Sequence, residues 1–159
     1  MLAISARCGG SQSQSGSLPP ALAQQKRPSD PAGRLTPLVY VSDDANNLID
    51  VFDRDGTLEY TITNGVHAPV GMYVDARHNL WVANPGDNNV LVFPRGSMTP
   101  STTLEDADQL NDVAVCHDGT VFVASSNNAG GVAVYPRGHT TPTRRLKPNR
   151  AVRAATTSR

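Results

Sequence analysis

The segment PVGMYVDARHNLWVAN, residues 69–84, has a close counterpart 41 residues further on, LNDVAVCHDGTVFVAS at 110–125. A shorter match, VYVS, lies 41 residues upstream of LWVA. The aromatic residues of the three copies are Tyr40, Trp81 and Phe122. A fixed period of this length indicates a repeat architecture in which each copy is one structural unit.

Each copy contains further short segments with the composition of β-strands. A second strand follows the aromatic one and ends at Phe52, Phe93 or Tyr135. A tight turn comes next, which is DRDG in the first copy and PRG in the other two. A weaker strand follows the turn at 58–62, 101–104 and 143–146, respectively. A fourth strand precedes the aromatic one at 71–75 and at 112–116, but the first copy has no recognisable counterpart.

The middle strands are apolar on both faces, as in LWVA, whereas an outer strand such as STTL is mostly polar. Four-stranded blades packed around an axis have this pattern. We therefore predict an all-β, incomplete β-propeller of about three four-stranded blades over residues 37–146. Residues 1–36, rich in Gly, Ser, Gln and Pro, are predicted to be a flexible leader. Residues 147–159 are predicted to be a basic tail or the start of a further blade.

The 69–84 segment, together with NNVLVF at 88–93, resembles the NHL-repeat family. The resemblance extends over Pro37 to Leu146 and departs from the pattern where Cys116 and His117 replace the acidic strand end seen at Asp75. NHL propellers are mostly binding platforms for protein, carbohydrate or RNA. The resemblance therefore implies a non-enzymatic binding scaffold with an unknown protein or carbohydrate ligand and no cofactor.

A second similarity is to the gluconolactonase and senescence-marker propellers, which hold a divalent metal with Asn and Asp side chains where blades begin. QLND at 109–112 is similar, with Asn111 at the matching position and Asp112 beside it, but the equivalent residue in the previous copy is Val70. This resemblance implies the alternative function, a calcium-dependent lactonase-type hydrolase or an inactive relative. Capping of a turn by Asn111 and Asp112 is the competing interpretation.

Other residues are candidates for binding or for the core. Arg95 and Arg137 follow the same proline in equivalent turns and are predicted to lie on one rim, where they could contact an acidic partner. The repeated aromatic residues and Cys116 are predicted to be core residues. The DRDG segment that begins at Asp53 is predicted to be a hairpin turn rather than a calcium loop.

The formal net charge of zero conceals an asymmetry. Residues 37–136 contain thirteen acidic residues and three arginines, whereas the chain from Arg137 onward contains seven basic residues and no acidic one. An acidic body disfavours nucleic acid as a partner of the folded surface, although the basic tail could attract it.

The sequence ISARC, ending at Cys8 and followed by GGSQ, resembles the end of a bacterial lipoprotein signal with its polar tether. The charged and most of the apolar signal regions are missing, and Arg7 stands where a small residue is expected. Two interpretations stay open: the natural start lies upstream and Cys8 is lipidated, or Cys8 is an ordinary residue. The first interpretation predicts an extracytoplasmic protein that is secreted or lipid-anchored. It would contact a membrane only through the lipid anchor.

Fewer than three complete blades cannot close a ring of four to eight. Three explanations are compatible with the repeat: the chain is a gene fragment, the blades form an open stack, or two copies assemble into a six-bladed ring. The third predicts self-association, because an open edge exposes unpaired backbone groups and apolar strand faces.

Overall fold

A computed structural model describes residues 4–5, 35–105, 109–126 and 130–147. Within these ranges the protein is all-β and forms three antiparallel sheets without a helix. No helix with the length and apolarity of a membrane span occurs in the part of the chain that is described.

The three sheets contain four strands each, in chain order from the innermost to the outermost. Sheet 1 comprises β1 (Ile4–Ser5), β2 (Leu38–Asp43), β3 (Leu48–Asp53) and β4 (Leu58–Ile62). Sheet 2 comprises β5 (Met72–Val74), β6 (Leu80–Asn84), β7 (Asn89–Phe93) and β8 (Thr102–Glu105). Sheet 3 comprises β9 (Leu110–Val115), β10 (Val121–Ser125), β11 (Gly131–Tyr135) and β12 (Arg144–Leu146).

The strand register confirms the repeat, because the three aromatic residues occupy the same place in their sheets. Tyr40 pairs with Val51 in sheet 1, Trp81 pairs with Val92 in sheet 2, and Phe122 has the matching partner on β11. Each hairpin then turns at the predicted position, and Gly56, Gly96 and Gly138 adopt the positive φ that such turns require. Side chains at equivalent positions can therefore be compared directly between sheets.

The innermost place in sheet 1, for which the sequence offers no repeat counterpart, is taken by β1. Ile4 pairs with Val41 and Ser5 pairs with Tyr40, both antiparallel. Two residues of the predicted leader thus complete a four-stranded sheet. Cys8 and the predicted tail beyond residue 147 lie outside the described residues.

Burial of apolar side chains between neighbouring sheets holds the fold together. One core cluster joins sheets 1 and 2, and its members include Tyr40, Ile49, Ile62, Leu80 and Phe93. A second cluster joins sheets 2 and 3, and its members include Val90, Leu104, Leu110, Val123 and Tyr135. The described strands therefore show two intersheet interfaces, and they do not show a closed ring.

The prediction that Cys116 is a core residue is wrong. Strand β9 ends at Val115, so Cys116 belongs to the following turn, where its backbone N–H donates to the carbonyl of Thr120 at 2.8 Å. Its thiol is free and the residue is exposed. The repeat explains the error, because the equivalent residue Asp75 also follows the end of its strand.

Candidate functional site

The two intersheet interfaces use equivalent positions, and at one rim they differ in how the space is filled. At the interface of sheets 1 and 2, Tyr40 is 2% exposed. Tyr60, on the outermost strand, pairs with Val51 and packs against the same core cluster. Arg95 reaches across from the β7–β8 turn of sheet 2, and its Nη2 donates to the backbone carbonyl of Thr36. Two phenol rings and one guanidinium therefore close this rim.

The ionisation of the tyrosines reflects this packing. Burial raises the pKa of the Tyr40 phenol well above its usual range, and the nearby Tyr60 adds to the rise, while the Arg95 charge lowers the pKa slightly. Burial also raises the pKa of Tyr60. The Tyr60 hydroxyl and Arg95 Nε are both buried in this interface.

At the interface of sheets 2 and 3 the same rim contains an open cleft of about 520 Å³, which we call the rim cleft. Its apolar floor includes Trp81, Val92 and Val121. The register shows why it is open: Thr102 pairs with Val92 as Tyr60 pairs with Val51, so a short side chain stands where a phenol stands in sheet 1. Trp81, the equivalent of the buried Tyr40, is consequently only half-buried.

A second difference concerns the equivalent arginines of the outer turns. Gly119 has φ +90°, and a Cβ placed on it would lie 2.9 Å from Cγ of Arg137, so the stem of Arg137 lies across the turn of its own sheet. The equivalent of Gly119 in sheet 2 is His78, which has a side chain at this position, and Arg95 crosses to Thr36 instead. Arg137 therefore lines the rim cleft without filling it.

The rim of the cleft has polar and charged side chains from three turns. Arg77, His117, Arg137 and His139 all line it. Among the described residues, the side chains of Arg77 and Arg137 form neither an ion pair nor a hydrogen bond. The rim thus presents two guanidinium groups that the described part of the chain does not pair.

The orientation of the indole is fixed by Asp75. The Trp81 Nε1–H and the Asn79 side-chain amide both donate to Asp75 Oδ2 at 3.0 Å. The backbone N–H groups of Arg77 and Asn79 donate to Oδ1 at 2.8 and 2.9 Å. Four donors thus engage this carboxylate, which stabilises both the turn and the floor of the cleft.

The second carboxylate at the rim, Asp118, is engaged in a similar way. Its Oδ1 accepts the backbone N–H of Thr120 at 2.8 Å. Hydrogen bonding to Thr120 lowers the pKa of Asp118, so this side chain is anionic and bound to its own turn at neutral pH. The two carboxylates of the cleft are therefore part of the scaffold, whereas its two arginines have no partner within the described ranges.

The predicted metal candidates lie elsewhere, on β9 where it contacts Gly71 of sheet 2. Asp112 Oδ1 accepts the N–H of Val113 at 2.9 Å, and Asn111 Oδ1 accepts the Ser126 hydroxyl at 3.2 Å. The Gly71 N–H donates to the Asn111 carbonyl at 3.1 Å. In the described ranges, no three His, Cys, Asp or Glu side chains come together as metal ligands.

The predicted pair Arg95 and Arg137 is not brought together in one environment. Arg95 is half-buried in the interface of sheets 1 and 2, whereas Arg137 is exposed beside the rim cleft. The DRDG segment forms the predicted hairpin, in which Asp53 Oδ1 accepts the N–H groups of Asp55 and Thr57, both at 2.8 Å. Its carboxylate therefore supports a turn.

On the opposite rim, a buried polar residue connects the loops. Asn84 is fully buried; its Oδ1 accepts the His67 N–H at 2.6 Å, and its Nδ2 donates to the Gly65 carbonyl at 3.1 Å. His67 Nδ1 lies 2.7 Å from Asp87 Oδ2. These contacts connect the segment between sheets 1 and 2 to the β6–β7 turn, which gives this rim a structural role.

Sequence reasoning did not identify the rim cleft. The relevant signal was the size of two repeat-equivalent residues, Thr102 in place of Tyr60 and Gly119 in place of His78. The first substitution removes a ring from the interface, and the second gives Arg137 a place on its own sheet. A comparison of the repeats by side-chain volume would have located the cleft.

Comparisons with known proteins support the fold. No family model matches the chain, and no curated protein matches it. Among solved structures, it is similar to Kuenenia stuttgartiensis hydrazine synthase (TM-score 0.63, 18% identity, 76% of this chain and 34% of that one). It is also similar to dihydro-heme d1 dehydrogenase NirN, with a TM-score of 0.58 and 15% identity over 72% of this chain and 26% of that one. A Bacteroides caccae protein of unknown function is similar with a TM-score of 0.53 and 13% identity over 73% of this chain and 43% of that one.

The chain thus spans less than half the length of each of these proteins. At such identities the likeness concerns the fold alone. Hydrazine synthase and NirN are β-propeller-like, and the three sheets described above have the same kind of arrangement.

Proposed function

We propose that the protein is a non-enzymatic binding scaffold built from NHL-like blades, and that the rim cleft is its ligand site. The observation that carries the proposal is that Arg77 and Arg137, which have no partner among the described residues, line the same cleft as the indole that Asp75 holds in place. Small-molecule sites combine an apolar floor with a few polar groups in this manner.

The interface of sheets 1 and 2 supports the proposal, because it shows that this repeat is able to close the same space. An open cleft lacks the stabilising contacts that the Tyr60 ring makes with the core cluster in sheet 1. The chain nevertheless has Thr102 at the equivalent position, beside a tryptophan that is only partly buried. Ligand binding would account for a cleft that packing alone disfavours.

A thermal-shift screen tests this function. Aromatic acids, sugars and short acidic peptides are added to the wild type and to the Thr102→Tyr variant, which places the side chain found at position 60 on the floor of the cleft. Because binding to the native state raises the melting temperature, we expect at least one class to stabilise the wild type and not the variant. Equal shifts in both proteins, or no shift with any class, would contradict the proposal.

The lactonase-type hydrolase is the alternative proposal, and it requires calcium near Asn111 and Asp112. Calcium should then raise the melting temperature of the wild type, and the Asn111→Ala variant should lose that rise. The binding-scaffold proposal expects calcium to have no effect on either protein. Lactone hydrolysis that depends on both calcium and Asn111 would favour the alternative.

Location and assembly are further proposals, supported by the residues around Cys8 and by the unclosed arrangement of the sheets. Lipidation predicts that a labelled fatty acid is incorporated into the wild type and not into Cys8→Ala. Pairing of two copies into one ring predicts a sedimentation mass of twice the chain at high micromolar concentration. A monomer mass at that concentration would rule out the ring of two copies.

A further inference from the structure

We infer that the rim cleft binds a small planar aromatic acid, with the ring on the floor beside Trp81 and the acid group between Arg77 and Arg137. This inference rests on the proposed binding function and specifies the chemical class of the ligand. Two independent features of the cleft support it, the shape of its floor and the charges on its rim.

The first feature is the floor of the cleft, which can be compared with the equivalent positions of sheet 1. There the Tyr60 ring lies next to Tyr40 and over Val51, and it is part of the packed interface. In sheet 2 the equivalent floor, Trp81 and Val92, lacks the ring because residue 102 is threonine. A ligand that replaces the missing side chain is therefore a single aromatic ring, for which offset or edge-to-face contact with the indole is favourable.

The second feature is the state of the charged groups. The carboxylate of Asp75 already accepts hydrogen bonds from four N–H donors. That of Asp118 accepts the backbone N–H of Thr120 in its own turn. In the described part of the chain, the guanidinium groups of Arg77 and Arg137 have no anionic partner. A carboxylate is the planar acceptor that an arginine fork matches best.

The remaining polar groups of the rim agree with this class of ligand. His117 and His139 also line the cleft and can donate to an acid group through a ring N–H. The volume of about 520 Å³ lies in the range of small-molecule sites, and it exceeds what one substituted benzene ring needs. The cleft therefore has room for the ring, its acid group and bound water.

The test uses 4-hydroxyphenylacetate, which combines the ring of the missing tyrosine side chain with a carboxylate. Trp81 is the only tryptophan of the chain, so its indole N–H gives a single signal in a ¹H–¹⁵N spectrum and reports on the floor of the cleft. We expect a saturable shift of that signal. Two matched probes separate the contributions: 4-methylphenol lacks the charge, cyclohexylacetate lacks the aromatic ring, and each should bind at least about tenfold more weakly.

Variants assign the effect to the cleft. Thr102→Tyr should abolish the shift, and Arg137→Gln should weaken binding about tenfold or more. Arg54 occupies the equivalent turn of sheet 1 and is paired only with its neighbour Asp55, so Arg54→Gln is the matched control and should bind as the wild type does. Melting curves verify that each variant is folded. If Arg137→Gln does not fold, Arg77→Gln gives a second test of the charge.

Each outcome has a distinct meaning. If 4-hydroxyphenylacetate binds no better than 4-methylphenol and cyclohexylacetate, or binds equally well to Thr102→Tyr, the inference is overturned. Should another class of compound then stabilise the wild type and not Thr102→Tyr, the binding function stands without the aromatic acid. If no compound does so, both are contradicted.

Discussion

The interface of sheets 1 and 2 and the interface of sheets 2 and 3 are built from the same repeat, yet one is closed at the rim and the other is open. The closed rim contains Tyr40, Tyr60 and Arg95, with polar atoms buried away from water. The open rim exposes the Trp81 indole in a cleft of about 520 Å³. A repeat can therefore keep its backbone register while a few side chains change a packed interface into an open cleft.

The largest expected effect is the loss of a buried ring from the closed interface. Phe93 is 1% exposed, and Phe93→Ala should lower the free energy of unfolding by about 3–5 kcal/mol, since it removes the ring and leaves a cavity. Trp81→Ala should cost about half as much, because the indole is only partly buried in the open interface. Urea unfolding of the two variants measures both values. An equal or larger loss for Trp81→Ala would contradict the difference between the interfaces.

The next effect tests whether the second interface is open only at its rim. At its inner end, a Cβ on Gly71 would lie 2.4 Å from Asp112 Oδ1 and 2.5 Å from the Asn111 carbonyl. Gly71→Ala should therefore cost about 1–3 kcal/mol by forcing β5 and β9 apart. Gly96→Ala is the control: its Cβ meets no atom within 4 Å, and only its φ of +74° opposes the substitution, at about 1 kcal/mol. A Gly71→Ala protein as stable as the wild type would show that the inner contact is loose as well.

The three equivalent arginines give a smaller and more specific comparison. Arg95→Ala should cost about 1–2 kcal/mol, because it removes the bond to the Thr36 carbonyl and the covering of the phenol rings. Arg54→Ala and Arg137→Ala should change stability by about 0.5 kcal/mol or less, since both side chains are exposed. Thermal and urea unfolding of the three variants provide the test. The same loss at all three positions would mean that Arg95 has no special part in closing the rim.

Much of the fold could be predicted from the sequence, because a period of 41 residues places each strand and turn without knowledge of long-range contacts. The inner strand of sheet 1 could not, since Ile4–Ser5 are two residues with no pattern that distinguishes them from their neighbours. The burial of Cys116 was predicted wrongly because the strand end was placed one residue too late. Whether a strand continues for one more residue depends on the turn that follows it.

The candidate site was less predictable than the fold. Arg95 and Arg137 follow the same proline and have the same neighbours in sequence, so local reasoning treats them alike. Their different directions depend on residues distant in sequence, on Thr36 across the interface for Arg95 and on Gly119 beneath the stem for Arg137. Only the packed structure relates these positions to one another.

The Thr102→Tyr substitution gives the open interface the ring of the closed one, and it should change the stability least. A ring that packs on Trp81 and Val92, as Tyr60 packs in sheet 1, should alter the free energy of unfolding by about 1 kcal/mol or less, because the new apolar contact is offset by the order imposed on the side chain. Urea unfolding measures this change. A loss of several kcal/mol would indicate that the two interfaces do not have the same geometry.

The most direct test of the central claim is the quenching of Trp81 fluorescence by acrylamide in the wild type and in Thr102→Tyr. The chain has a single tryptophan, so the signal reports only on the floor of the rim cleft. We expect efficient quenching in the wild type and at least about a twofold smaller quenching constant in the variant, where the phenol covers the indole. Equal quenching in the two proteins would mean that residue 102 does not control the cleft, and would contradict the account.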